Sequence, residues 1–164
     1  MPIATHRMAG LVLAAFAAAA LAVALASERF GGLNPCELCL WQRWPYRIAI
    51  GLGLLAALLP PRPGRRVLAV MVLVFAAALG LALLHVGVEQ GWWPSPLPGC
   101  RDATLTGARS VEDLMARLRP APGKPCDEPA YLLPSVPVSM AAMNLAYAAL
   151  LVAATVQILR RERA

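Results

Sequence analysis

Two cysteines three residues apart, in Cys36-Glu37-Leu38-Cys39, and two more at Cys100 and Cys126, 26 residues apart, are the only cysteines of this chain. A CxxC pair can open and close with little backbone movement, so thiol–disulfide exchange is its natural chemistry. Asn34-Pro35-Cys36-Glu37 reads as a helix start, with Asn34 as N-cap and Pro35 at the first helical position. Free backbone N–H groups and the helix dipole there favour a thiolate. Arg43 follows Cys39 by one helical turn, a fixed cation beside a sulfur that could carry negative charge. Zinc would call for a second closely spaced pair, which Cys100 and Cys126 do not form. Covalent haem attachment needs a histidine after the second cysteine, and Leu40 stands there. Static disulfides are the plain alternative, although a CxxC loop is too small to restrain an unfolded chain much.

Apolar residues make up 59% of the 164, against roughly 45–50% in soluble domains, so the bilayer is the natural solvent for most of this chain. The uncharged or nearly uncharged runs Met8 to Ala26, Val67 to Val88 and Val138 to Leu159 each approach or exceed the ~20 residues that cross a hydrocarbon core. Ala24-Leu25-Ala26 also resembles a signal cleavage site, but the run before it is longer than a typical signal core. A further run, Ile48 to Leu59, has only 12 residues. Its start can be moved back to Pro35, giving one helix from Pro35 to Leu59 kinked at Pro45. The expected fold is therefore an all-α integral membrane protein, a single domain over 1–164. Its four spans are about 8–27, 40–60, 67–88 and 137–159, and its two outer loops about 28–39 and 89–136.

Orientation follows from the basic residues. Arg7, Arg62, Arg65, Arg66, Arg160, Arg161 and Arg163 crowd the short flanks on one side, while those on the other side are spread over far longer segments. Both termini are thus expected inside, with all four cysteines outside in an oxidising compartment. The net charge of +6 reflects this topology, and no nucleic-acid surface is read into it. In the second loop, Ser110-Val-Glu-Asp113 has a capping-box-like start, and Val111, Leu114, Met115 and Leu118 recur at helical spacing. A short amphipathic helix lying in the membrane interface is expected there. Trp41, Trp44, Trp92 and Trp93 fit an interfacial aromatic belt, and Arg47 an interfacial arginine. His85, at the outer end of the third span, could meet a bound ligand or headgroups and Glu89.

The stretch Asn-Pro-Cys-Glu-Leu-Cys-Leu-Trp-Gln-Arg-Trp-Pro-Tyr (34–46) resembles the PC-x-x-C-x-x-x-R signature of the disulfide bond formation protein B family, DsbB. The segment from His85 through Trp92-Trp93-Pro94 to Cys100, and Pro125-Cys126-Asp127-Glu128 before the last span, are similar to family patterns in matching order. The prolines dense from Pro94 to Pro98 depart from that pattern.

The resemblance implies a thiol:quinone oxidoreductase of the bacterial inner membrane. Its cysteine loops would be periplasmic and its termini cytoplasmic. It would reoxidise a soluble DsbA-like thioredoxin-fold partner and reduce ubiquinone or menaquinone. By the same resemblance the partner attacks a Cys100–Cys126 disulfide at Cys100, Cys126 then attacks Cys36, and Cys39 faces the quinone. Arg43 would stabilise the charge developing at Cys39, and His85 is the second candidate for quinone contact. The related four-helix reductases of quinone or vitamin K epoxide carry their CxxC late in the chain, whereas here it comes first. A transporter would be expected to hold acids within its spans, and these hold none.

Overall fold

The computed structural model describes residues 4–97, 100, 110–111, 124–132 and 137–161. These form α1 (Ala4–Arg29), α2 (Glu37–Trp41), α3 (Arg43–Leu58), α4 (Pro61–Glu89) and α5 (Met140–Arg161). The described residues contain no strand, only an isolated antiparallel bridge between Tyr131 and Ser139. α1, α4 and α5 are each long and apolar enough to cross a membrane. Leu58, Leu73 and Leu150 project outward, exposed by 79%, 70% and 67%, an arrangement that lipid favours and water does not.

Inside, small residues let backbones approach, as in membrane bundles generally. α1 lies against α3 along a seam where a Cβ on Gly53 would meet the Gly10 carbonyl at 2.5 Å and Ala14 Cβ at 2.8 Å. Ala17, Ala49 and Ala56 continue the seam, and Leu68, Met71 and Phe75 of α4 fill the core with Leu151 of α5. α4 packs on both α3 and α5, but α1 and α5 hardly touch. That side of the bundle is therefore open. At the other end of α1, His6 Nε2 donates to the Leu59 carbonyl at 3.1 Å, and its ring occupies the space beside Gly64. The turn between α3 and α4 is thereby tied down.

Two expectations change. The helix from Pro35 to Leu59 is not continuous: it breaks at Gln42, between α2 and α3, rather than bending at Pro45. Proline cannot donate to the carbonyl four residues back and its ring crowds that carbonyl. The conflict falls on Trp41, where α2 ends, and Pro45 then sits in the first turn of α3, where no N–H is required. The N-cap is Cys36, not Asn34, its sulfur accepting from Cys39 N–H at 3.1 Å. The amphipathic helix expected over 110–118 lies, apart from Ser110 and Val111, outside the described residues.

Candidate functional site

Both cysteine pairs meet at the outer end of the bundle. Cys36, Cys100 and Cys126 are buried together with Leu38 and Val88, and Cys39, Leu84 and Leu97 pack around them. Cys100 and Cys126 form a disulfide, and Cys126 N–H reaches the Cys100 carbonyl at 3.4 Å. Cys36 and Cys39 are free thiols with their sulfurs 2.7 Å apart. A sequence separation of more than 60 residues has thus been closed into one cluster by the packing of the second loop against α2 and α4.

The CxxC pair is electrically unequal. Cys39 is held below the ordinary thiol range because its sulfur accepts from Cys36 and from the Cys36 turn, and Arg43 adds to this against the opposing effects of burial and Glu89. Cys36 is pushed well above that range by donating to Cys39 and by burial. Within the pair the proton is thus favoured on Cys36 and disfavoured on Cys39. His85 Nε2 lies 3.5 Å from Cys36 Sγ. The donor atoms of Cys36, Cys39 and His85 lie within 4.8 Å of one another. As they stand, though, the two sulfurs are closer than the roughly 3.7 Å that tetrahedral zinc with ~2.3 Å bonds would impose.

On the open side of the bundle, a cavity of about 280 Å³ runs between α1 and α5 and reaches Cys39. Its walls are mostly apolar, from residues such as Ala20, Val23 and Leu132, with polar groups gathered from Glu28, Arg43, Tyr46 and Asn144. Arg43 is buried and its guanidinium pairs with the Glu28 carboxylate. Tyr46 O–H donates to Asn144 Oδ1 at 2.5 Å, linking α3 to α5 across the cavity. Arg43 and Tyr46 stand one turn apart on α3 and both line the cavity.

Five of the six candidate residues are brought together around Cys36: the four cysteines and His85. Arg43 joins them through Cys39 on the cavity wall, to which His85 does not contribute. Glu28, Tyr46, Asn144 and Glu89 were not singled out as site residues from sequence. An amide within an apolar run, as at Asn144, and an acid closing one, as at Glu28 and Glu89, are the signals that could have pointed to them. Trp41, Trp44, Trp92 and Trp93 are all exposed, as a belt would be, Trp93 least, its ring lying over Gly87 and donating to the Leu84 carbonyl at 3.0 Å. Arg47 stacks on Trp44, 5.2 Å from the ring centre.

A family model described as disulfide bond formation protein DsbB matches residues 6–158. A relative named disulfide bond formation protein B, from Azoarcus sp. (strain BH72), is 33% identical over 94 residues, a match covering 55% of this chain and 54% of that relative. The matched region is thus about half the length of the relative. No solved structure gives a significant match.

Proposed function

Because the chain belongs to the disulfide bond formation protein DsbB family, a family of membrane oxidoreductases for disulfide formation, we propose that it oxidises a soluble DsbA-like dithiol protein at the expense of a membrane quinone. The observation that carries this reading is the meeting of a disulfide and a CxxC pair in one buried cluster, with Cys39 opening onto an apolar cavity beside Arg43. In the membrane, α1, α4 and α5 cross, and α3, entered from α2 at the outer surface, makes the fourth crossing. The arginine-rich turn between α3 and α4 then lies on the cytoplasmic side and the cysteines on the periplasmic side.

A thiolate of the partner attacks Cys100 Sγ, the Cys100–Cys126 bond breaks, and Cys126 leaves as a thiolate. Cys126 then attacks Cys36 of an oxidised Cys36–Cys39 pair, and Cys39 takes the bonding electrons. The hydrogen-bonding and charge environment that lowers Cys39 suits it to leave in this step. A quinone bound in the cavity supplies a two-electron acceptor. Arg43 holds the site positive where charge develops, and Tyr46 with Asn144 lines the other end. The partner's second thiolate displaces Cys100 and leaves with its own disulfide, the Cys100 thiolate attacks Cys126 and frees Cys36, and reclosure of Cys36–Cys39, with its two electrons given up to the acceptor, completes the cycle.

The test is anaerobic mixing of the purified protein with a reduced thioredoxin-fold dithiol partner and a soluble ubiquinone or menaquinone analogue. Partner oxidation should match quinol formation one to one and disappear in Cys39→Ser. Fixed disulfides, with neither product formed, would make both bridges structural.

A further inference from the structure

Cys36 has a neighbour that the relay just described does not use. His85 Nε2 faces its sulfur at 3.5 Å, within the range of a sulfur hydrogen bond. The same nitrogen lies 4.0 Å from Glu89 Oε1, and Glu89 Oε2 accepts from Ser139 Oγ at 2.5 Å. Cys36, His85, the Glu89 carboxylate and Ser139 are all buried. This line of polar groups joins the α2 cap, the outer end of α4 and the start of α5. The Cys126 backbone also interacts with the imidazole. His85 therefore stands where the two cysteine pairs meet, away from the cavity wall.

We propose that His85, backed by Glu89, is the proton acceptor of Cys36 when the Cys36–Cys39 disulfide recloses. This rests on the quinone oxidase reading for its acceptor. The Cys36 S–H proton moves to His85 Nε2, the resulting thiolate forms the S–S bond with Cys39, and the electron pair displaced from Cys39 passes to the quinone. The imidazolium so formed faces the Glu89 carboxylate, which Ser139 holds in place, until the proton is released on the outer side. Such a base is needed because Cys36, donating to Cys39 and buried, otherwise keeps its proton. The titratable and charged groups around this line are Cys36 and Cys39 on α2, Arg43 on α3, Glu89 on α4 and Lys124 in the second loop.

The experiment titrates the thiolate of Cys36 by its ultraviolet absorbance in the full chain with Cys39→Ser, Cys100→Ser and Cys126→Ser, so that Cys36 is the sole thiol. With His85 present the thiolate should appear at a pH about one unit lower than with His85→Gln, a tenfold difference in thiolate fraction. Glu89→Gln, which keeps the side-chain shape, should shift the curve the same way by less. Superposed curves for all three proteins would overturn the proposal. In the otherwise wild-type enzyme His85→Gln should lower kcat by about 100-fold with KM for the quinone analogue unchanged. A raised KM at constant kcat would assign His85 to the quinone and equally overturn it. Should the wild type fail to reduce quinone at all, the oxidase reading fails, while the titration still answers for His85 and Cys36.

Discussion

The sulfur of Cys39 feels two opposite charges besides the hydrogen bond from Cys36 and its burial. Arg43 lowers its proton affinity, and Glu89 offsets part of that effect. A lowered pKa means the thiolate persists as pH falls below the ordinary thiol range and is lost only on reaching the lower value. Arg43→Gln should raise the pH at which Cys39 becomes alkylated by a small thiol reagent, whereas Glu89→Gln should lower it. Shifts of the same sign would show that charge is not the link. Arg43→Gln should also slow quinone reduction by about 2–4 kcal/mol in barrier, the scale for losing a preorganised charge-stabilising group. Attack of the partner on Cys100–Cys126 should stay unchanged, and single-turnover mixing separates the two half-reactions.

The α1–α3 seam sets where the cavity begins, because both Glu28 and Arg43 ride on it. Gly10 and Gly53 put carbonyl groups where any Cβ would collide. Gly53→Ala should therefore destabilise the bundle by about 1–3 kcal/mol, as overpacking of a tight core does, and thermal unfolding in detergent measures it. A melting point equal to wild type would mean that the helices separate there at no cost. Across the cavity, Tyr46 and Asn144 join α3 to α5, which otherwise meet mainly through α4. Asn144→Leu keeps the bulk but removes the acceptor. It should raise KM for quinone analogues several-fold while leaving the thiol steps intact, and an unchanged KM would confine the pair to a structural tie.

For the whole molecule, the order of the two cysteine pairs distinguishes a relay from two unrelated bridges. In Cys126→Ser the loop disulfide cannot form; if Cys100 is the entry, its thiolate should attack the disulfide of the oxidised partner and, with no loop thiol left to resolve the bond, a mixed disulfide between Cys100 and the partner should accumulate. Non-reducing electrophoresis of membranes, with the adduct mapped by mass spectrometry, reads this directly. A partner joined to Cys36 or Cys39, or turnover without any adduct, would reverse the direction proposed. The cavity lies on the side between α1 and α5, where the two helices hardly touch.

The sequence alone disclosed the three long apolar helices and the adjacency of Cys39 to Arg43, because each depends on local composition or helical spacing. The family resemblance rested on the same short-range signal, the run from Asn34 to Tyr46. What spacing could not settle was decided by side chains brought from distant elements. The α2–α3 break moved to Gln42 because the proline acts on the carbonyl four residues before it. His85 met Cys36, 49 residues away, through the packing of α4 on the α2 cap. Glu28 paired with Arg43, and Tyr46 with Asn144 over 98 residues, because the helices juxtapose them beside the open face. A polar group in an apolar run signals that it must find a partner, but only the tertiary packing chooses which one, since the choice depends on helix rotation and register that no local pattern encodes.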